Sequence, residues 1–151
     1  MSAVDIALKI AVEAHKGQVD RDDEAYILLT VGLMGKTDEE RCAGFLHDVL
    51  EDTDYTVEML EEAGIPDGVI NALKLLTHDK DTLYYDYVQH IIDSHNPIAL
   101  RVKYNDLQHN YERGKAYPDL QEKHGKALKM VKAAIEEMNR VTPYEPKENS
   151  E

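Results

Sequence analysis

The chain has 151 residues, 42% hydrophobic and 31% charged, with a formal net charge of −13, so one domain with its own apolar core is expected. That charge argues against binding to nucleic-acid polymers or anionic membranes, although a small phosphate ester can bind where a metal and a few Lys or Arg reverse the field locally. Cys42 is the only cysteine, which rules out an intramolecular disulfide and fits a reducing cytoplasm; no apolar run approaches the ~18 residues of a membrane span, and Met1–Lys9 lacks a signal pattern.

Alternating β-branched runs bounded by tight turns are nearly absent, and helical periodicity takes their place. Ile6, Ala7, Ile10, Ala11 and Ala14 form a stripe from Ser2 to Lys16, stopped by Gly17. Tyr26 to Met34 reads as a short apolar helix ending at Gly35. Thr37 or Asp38 caps the next helix, with Glu39 and Glu40 at its positive end, and the pattern continues to about Asp52. Thr56 opens a short acidic helix that Gly64 terminates. Pro66 starts another, with Val69, Ile70, Leu73 and Leu76 inward. Thr82–Asp93, Pro97–Arg113 and Asp119–Arg140 complete an all-α bundle of about eight helices over residues 1–140. The two prolines and the missing periodicity from Val141 make residues 141–151 a flexible tail. On the last helix Leu128, Val131 and Ile135 form an apolar stripe that could join two copies in a homodimer as readily as face the core.

The sequence Phe45-Leu46-His47-Asp48-Val49-Leu50-Glu51-Asp52-Thr53 carries the densest chemistry. On a continuous helix, positions 47, 48, 51 and 52 fall within roughly 140° of arc, while Phe45, Leu46, Val49 and Leu50 take the rest. Three carboxylates and an imidazole on one face repel one another and resist desolvation unless a cation or a proton compensates. The cluster therefore reads as a divalent metal site with catalytic carboxylates beside it. A second station lies in Arg101-Val102-Lys103-Tyr104-Asn105-Asp106-Leu107-Gln108-His109-Asn110, where Asp106 and Asn110 share a helix face. A lone Asp on such a helix is usually just solvated, but a distant His-Asp dyad needs more oxygen ligands to complete a site. Imidazole plus carboxylates suits Mn²⁺, Fe²⁺ or Mg²⁺ better than structural zinc. Tyr84-Tyr85-Asp86-Tyr87 could offer a stacking platform for a base, although at helical spacing Tyr84 and Tyr87 are more often core or groove wall. The plainer readings elsewhere are a structural role for His15, a solvated face for Glu58, Glu61 and Glu62, and incidental positions for His78, His90, His95 and His124.

Taken in order, Ala14-His15-Lys16-Gly17-Gln18, Tyr26-Ile27, Leu46-His47-Asp48-Val49 with Glu51-Asp52-Thr53, Leu76-Thr77 and Lys103 to Asn110 resemble the HD-superfamily phosphohydrolases. The likeness is to the hydrolase domain of the RelA/SpoT type and its small stand-alone relatives, over roughly residues 3–115. The resemblance implies an all-helical HD bundle holding Mn²⁺ and hydrolysis of the 3′-pyrophosphate of guanosine alarmones such as ppGpp. It implies His47, Asp48 and Asp106 as metal ligands. Glu51 and Asp52 would position and deprotonate the attacking water. Lys103 and Asn110 would lie near substrate phosphate or ribose, and Arg21 would neutralise phosphate charge.

The chain departs from that pattern twice. Where the family reads Tyr-Ile-x-His-Pro and uses the histidine as a further ligand, this chain reads Tyr26-Ile27-Leu28-Leu29-Thr30. Where the family has a basic pair after Gly-Gln, Val19-Asp20-Arg21 keeps one basic residue. Two rivals to the alarmone hydrolase follow. One is a catalytically impaired homologue that binds nucleotide or a protein partner; the other is an HD hydrolase of a different phosphorylated nucleotide.

Overall fold

The computed structural model describes residues 1–15, 29–113 and 118–141. Helix α1 (Ala3–Ala14) starts where the Ser2 hydroxyl accepts the Asp5 amide. A short helical segment, α2, covers 29–33. Helix α3 (Asp38–Leu46) has a reciprocal cap: Thr37 Oγ1 accepts the Glu40 amide, and Glu40 Oε1 accepts the Lys36 amide. One turn, α4 (Val49–Asp52), follows. Helix α5 (Val57–Ala63) ends at Gly64, whose φ of 96° is the left-handed conformation that glycine adopts without a steric cost. Then come α6 (Asp67–Leu76), α7 (Tyr84–Ser94), α8 (Pro97–Arg113) and α9 (Pro118–Val141). The expected all-helical architecture holds among the described residues. Residues 16–28, with Arg21 and Tyr26-Ile27, and the tail beyond Val141 lie outside them.

One expectation is corrected. The helix read as running from Thr37 or Asp38 to Asp52 is broken at His47-Asp48, where Asp48 has φ −104° and ψ −2°. His47 Nδ1 lies 2.6 Å from Gly44 O, so the side chain competes for a carbonyl that an uninterrupted helix would give to the backbone. For the apolar stripe of the last helix, which could serve a dimer or the core, the structure shows the core. Val131 is fully buried and Ile135 is 9% exposed, with Leu128 partly buried against the same cluster. The face offered as a dimer seam is largely core, because α9 packs along α8 and α7.

Helix α3 is the hub. It packs against α1, α6 and α8, and Cys42, Ala43, Phe45 and Leu46 are all buried. The approach of α2 to α3 depends on two glycines. A Cβ on Gly44 would lie 2.7 Å from Gly32 Cα, and one on Gly32 would meet the Phe45 ring at 2.3 Å. These contacts fix Gly44, whose carbonyl holds His47. Gly44→Ala should therefore destabilise the protein by about 1–3 kcal/mol through overpacking against backbone. Urea unfolding checks this, and a variant as stable as the parent would disprove the close contact.

Candidate active site

The contact of α3 with α8 brings together residues 59 positions apart. His47, at the C-terminal end of α3, points its Nε2 at Asp48 Oδ2 and Asp106 Oδ1, 3.5 Å from each. A carbonyl only accepts, so the 2.6 Å contact to Gly44 O places a hydrogen on Nδ1 and leaves Nε2 as the atom facing the carboxylates. Burial disfavours the imidazolium, yet the charges of Asp48 and Asp106 outweigh it and push the His47 pKa up to about 10.

Lys103 and Asp106 form the second buried pair. Lys103 Nζ is 3.4 Å from Asp106 Oδ2, and the ammonium lies 5.0 Å from the Tyr87 ring centroid. Asn110 Nδ2 donates to Asp106 Oδ1 at 3.2 Å. Burial would raise the Asp106 pKa, but Lys103 and His47 hold it well below the usual carboxylate range. Burial likewise opposes charge on Lys103, and Asp106 overrides it and keeps the amine protonated.

These groups line one pocket of about 260 Å³, in which His47, Asp48, Glu51, Lys103, Asp106 and Asn110 meet Leu76, His78, Tyr84, Tyr87 and Val102. Glu51 is fixed at its mouth by accepting the His78 backbone amide at 2.6 Å. Asp52 is exposed and does not line the pocket, although its carboxylate lies within 4.8 Å of those of Asp48 and Glu51. Arg21 lies outside the described residues. Position 29, where the resemblance calls for a ligand histidine, holds a leucine that is 40% exposed.

The aromatic wall of the pocket joins two tyrosines of α7 to a histidine that the sequence does not single out. The His78 ring stacks on Tyr87 with centroids 4.5 Å apart and planes at 19°, and His78 Nε2 contacts Thr82 O at 2.6 Å. Tyr87 donates its hydroxyl to Leu76 O. Burial raises the Tyr87 pKa to about 12 against the pull of Lys103, so the phenol stays protonated. Tyr84 and Tyr87, whose helical spacing suits core or groove wall, do both: they pack against the core and their rings line the pocket. His124 of α9 was read as incidental. It is half-buried and lies within the electrostatic reach of Asp106 and Lys103, its pKa lowered chiefly by burial. No spacing rule joins His78 to Tyr87, since the segment after α6 and helix α7 bring them together from separate stretches of chain.

Does the donor set fit a divalent ion? Ligand atoms around such an ion, with bonds of ~2.1 Å, stand roughly 3 Å from their neighbours. The 3.5 Å separations of His47 Nε2 from two carboxylate oxygens need only slight contraction. Charge points the same way. Asp48, Glu51 and Asp106 face the ammonium of Lys103 in this pocket, and even a protonated His47 leaves one carboxylate charge unmatched. An ion can take the place of that proton.

No protein-family model matches the chain. Among solved structures it is similar to a metazoan ortholog of SpoT that hydrolyzes ppGpp and plays a role in starvation responses. The TM-score is 0.62 at 20% sequence identity, with 95% of this chain and 98% of that one covered. The likeness shows the fold alone: the chain is an all-α bundle that shares its overall fold with that protein, as its motifs led one to expect. No helix among the described residues is long and apolar enough to cross a membrane.

In metal-free protein the His47 imidazolium bridges two carboxylates, which stabilises the fold. Its raised pKa means that this contribution is complete below about pH 6.5, the ordinary imidazole value, and is lost as the pH climbs towards 10. His47→Gln, uncharged throughout, should cost more at pH 6 than at pH 9.5 in EDTA. The expected gap in the loss of Tm is at least about 3 °C. An equal loss at both pH values would remove the imidazolium bridge.

Proposed function

We propose that this protein is a metal-dependent phosphohydrolase acting on a small phosphorylated nucleotide, most specifically on the 3′-pyrophosphate of a guanosine alarmone such as ppGpp. One observation carries the reading: His47 Nε2 stands 3.5 Å from both Asp48 and Asp106, in a pocket whose mouth holds Glu51. The sequence motifs and the fold shared with a SpoT ortholog that hydrolyzes ppGpp support it.

In this reading His47, Asp48 and Asp106 hold the ion, Mn²⁺ by resemblance, with Fe²⁺ or Mg²⁺ sharing the same ligand types. Bound there, it supplies Lewis-acid polarisation of a phosphoryl oxygen and makes water more acidic. Glu51, oriented by the His78 amide, accepts the proton of the attacking water. Asp52, whose carboxylate lies beside those of Glu51 and Asp48, helps to position that water. Lys103 offsets phosphate charge while anchored on Asp106, and the Asn110 amide, already bonded to Asp106, stands beside it for phosphate or ribose. The Tyr84 and Tyr87 rings and His78 close the opposite side against water. Arg21 would add a second cation for phosphate.

A second reading, an impaired homologue that binds without turnover, is favoured by Leu29, whose alkyl side chain has no lone pair to donate. Lys103 adds to this case, since its ammonium already satisfies one oxygen of Asp106.

Purified protein assayed with Mn²⁺ should release pyrophosphate from ppGpp. Asp48→Ala or Asp106→Ala should lower the rate at least 100-fold, on the order of 3 kcal/mol of transition-state stabilisation. Full turnover in either variant overturns the site. Phosphate release from another nucleotide would redirect the substrate, and binding without release would favour the impaired reading. In that last case Leu29→His with Thr30→Pro should raise Mn²⁺ affinity.

A further inference from the structure

On the side of α8 away from the catalytic pocket, a groove of about 700 Å³ runs between α8 and α9. Along α8, Lys103, Asp106 and Asn110 face the catalytic pocket, while Tyr104, Gln108 and Tyr111 line the groove. The two tyrosines are seven residues apart, which stacks them on one face about 10 Å along the axis. Gly125 of α9 forms part of the floor. A Cβ there would lie 3.0 Å from Tyr111 Cε1, so the glycine lets the ring lie close against α9. Gln121 Nε2 reaches Tyr111 O at 3.5 Å and ties the two walls together.

Charge within the groove is graded. Glu112 and Glu122 sit at the end near Gln121, and Lys126, Lys129 and Lys132 follow along α9. Lys126 is engaged, with its Nζ 4.2 Å from the Tyr85 ring centroid. Lys129 and Lys132 are exposed and have no ion pair among the described residues. In a chain with a net charge of −13, two ammoniums left unneutralised beside two tyrosines form a local site for an aromatic anion. The volume falls in the range of small-molecule sites, and every nucleobase has a face that can stack on tyrosine.

We propose that the α8–α9 groove binds a nucleoside polyphosphate at a site separate from the catalytic pocket, the base against Tyr104 and Tyr111 and the phosphates on Lys129 and Lys132. This does not rest on the hydrolase reading. It needs neither the metal nor any residue of the catalytic pocket, and α8 is the one wall that the two sites share.

GTP is the probe, and equilibrium dialysis in EDTA is the measurement, with the full chain, Asp48→Ala and the double variant Lys129→Glu/Lys132→Glu. The full chain and Asp48→Ala should bind GTP equally, and the double variant at least tenfold more weakly. Both lysines are exposed, so the double variant should fold, as its thermal midpoint will show. Gly125→Leu, which fills the groove, should weaken GTP binding without changing hydrolysis. Tripolyphosphate should bind at least tenfold more weakly than GTP. The proposal fails if no saturable GTP binding is found, if the lysine pair makes no difference, if Asp48→Ala alone abolishes binding, or if tripolyphosphate equals GTP.

Discussion

Everything about the candidate site depends on one buried electrostatic arrangement, in which His47 stands between Asp48 and Asp106 with Lys103 on the far oxygen of Asp106. None of these charges is tolerable alone. A carboxylate as enclosed as Asp106 would take up a proton, and an amine as enclosed as Lys103 would lose one. Held together they keep each other ionised. Deleting one partner would strand the others, so the arrangement constrains the packing of α3 on α8 as much as the packing creates it.

The backbone around His47 serves the same end. Two glycines let α2 and α3 approach closely, that approach fixes Gly44, and the Gly44 carbonyl fixes the imidazole tautomer. The helix then breaks, and α4 carries Glu51 to the pocket mouth, where the His78 amide holds it. Polar ligand atoms are thus oriented by backbone groups, whose positions are set by the core. Such positioning costs little when a substrate or an ion arrives, since the groups are already in place.

The departure at Leu29 takes its meaning from this setting. A site built for several ligands that lacks one imidazole still has its carboxylates, and water can complete a coordination shell. The resident ammonium of Lys103 works in the other direction by sharing Asp106. Turnover, weak turnover or binding alone is then a matter of how these two opposed effects balance, and the fold is the same in each case.

The sequence by itself determined the helical class, most helix limits and which donor groups the central motif carries. Apolar spacing, caps such as Thr37 and Thr56 and the stop at Gly64 act through neighbours a turn or two away, and are therefore written locally. The roles proposed for Lys103 and Asn110 come from a resemblance; their spacing alone showed no more than a helix face shared with Asp106, which the need of the His-Asp dyad for further oxygen ligands had singled out. Tertiary structure alone decided the rest. The break at His47 needed a side chain competing for a particular carbonyl, the burial of Val131 and Ile135 needed α8 and α7 beside them, and the His78–Tyr87 wall needed the segment after α6 to meet α7. Periodicity records which face of a helix is apolar but not what that face will meet, because the partner lies tens of residues away and only packing brings it into contact.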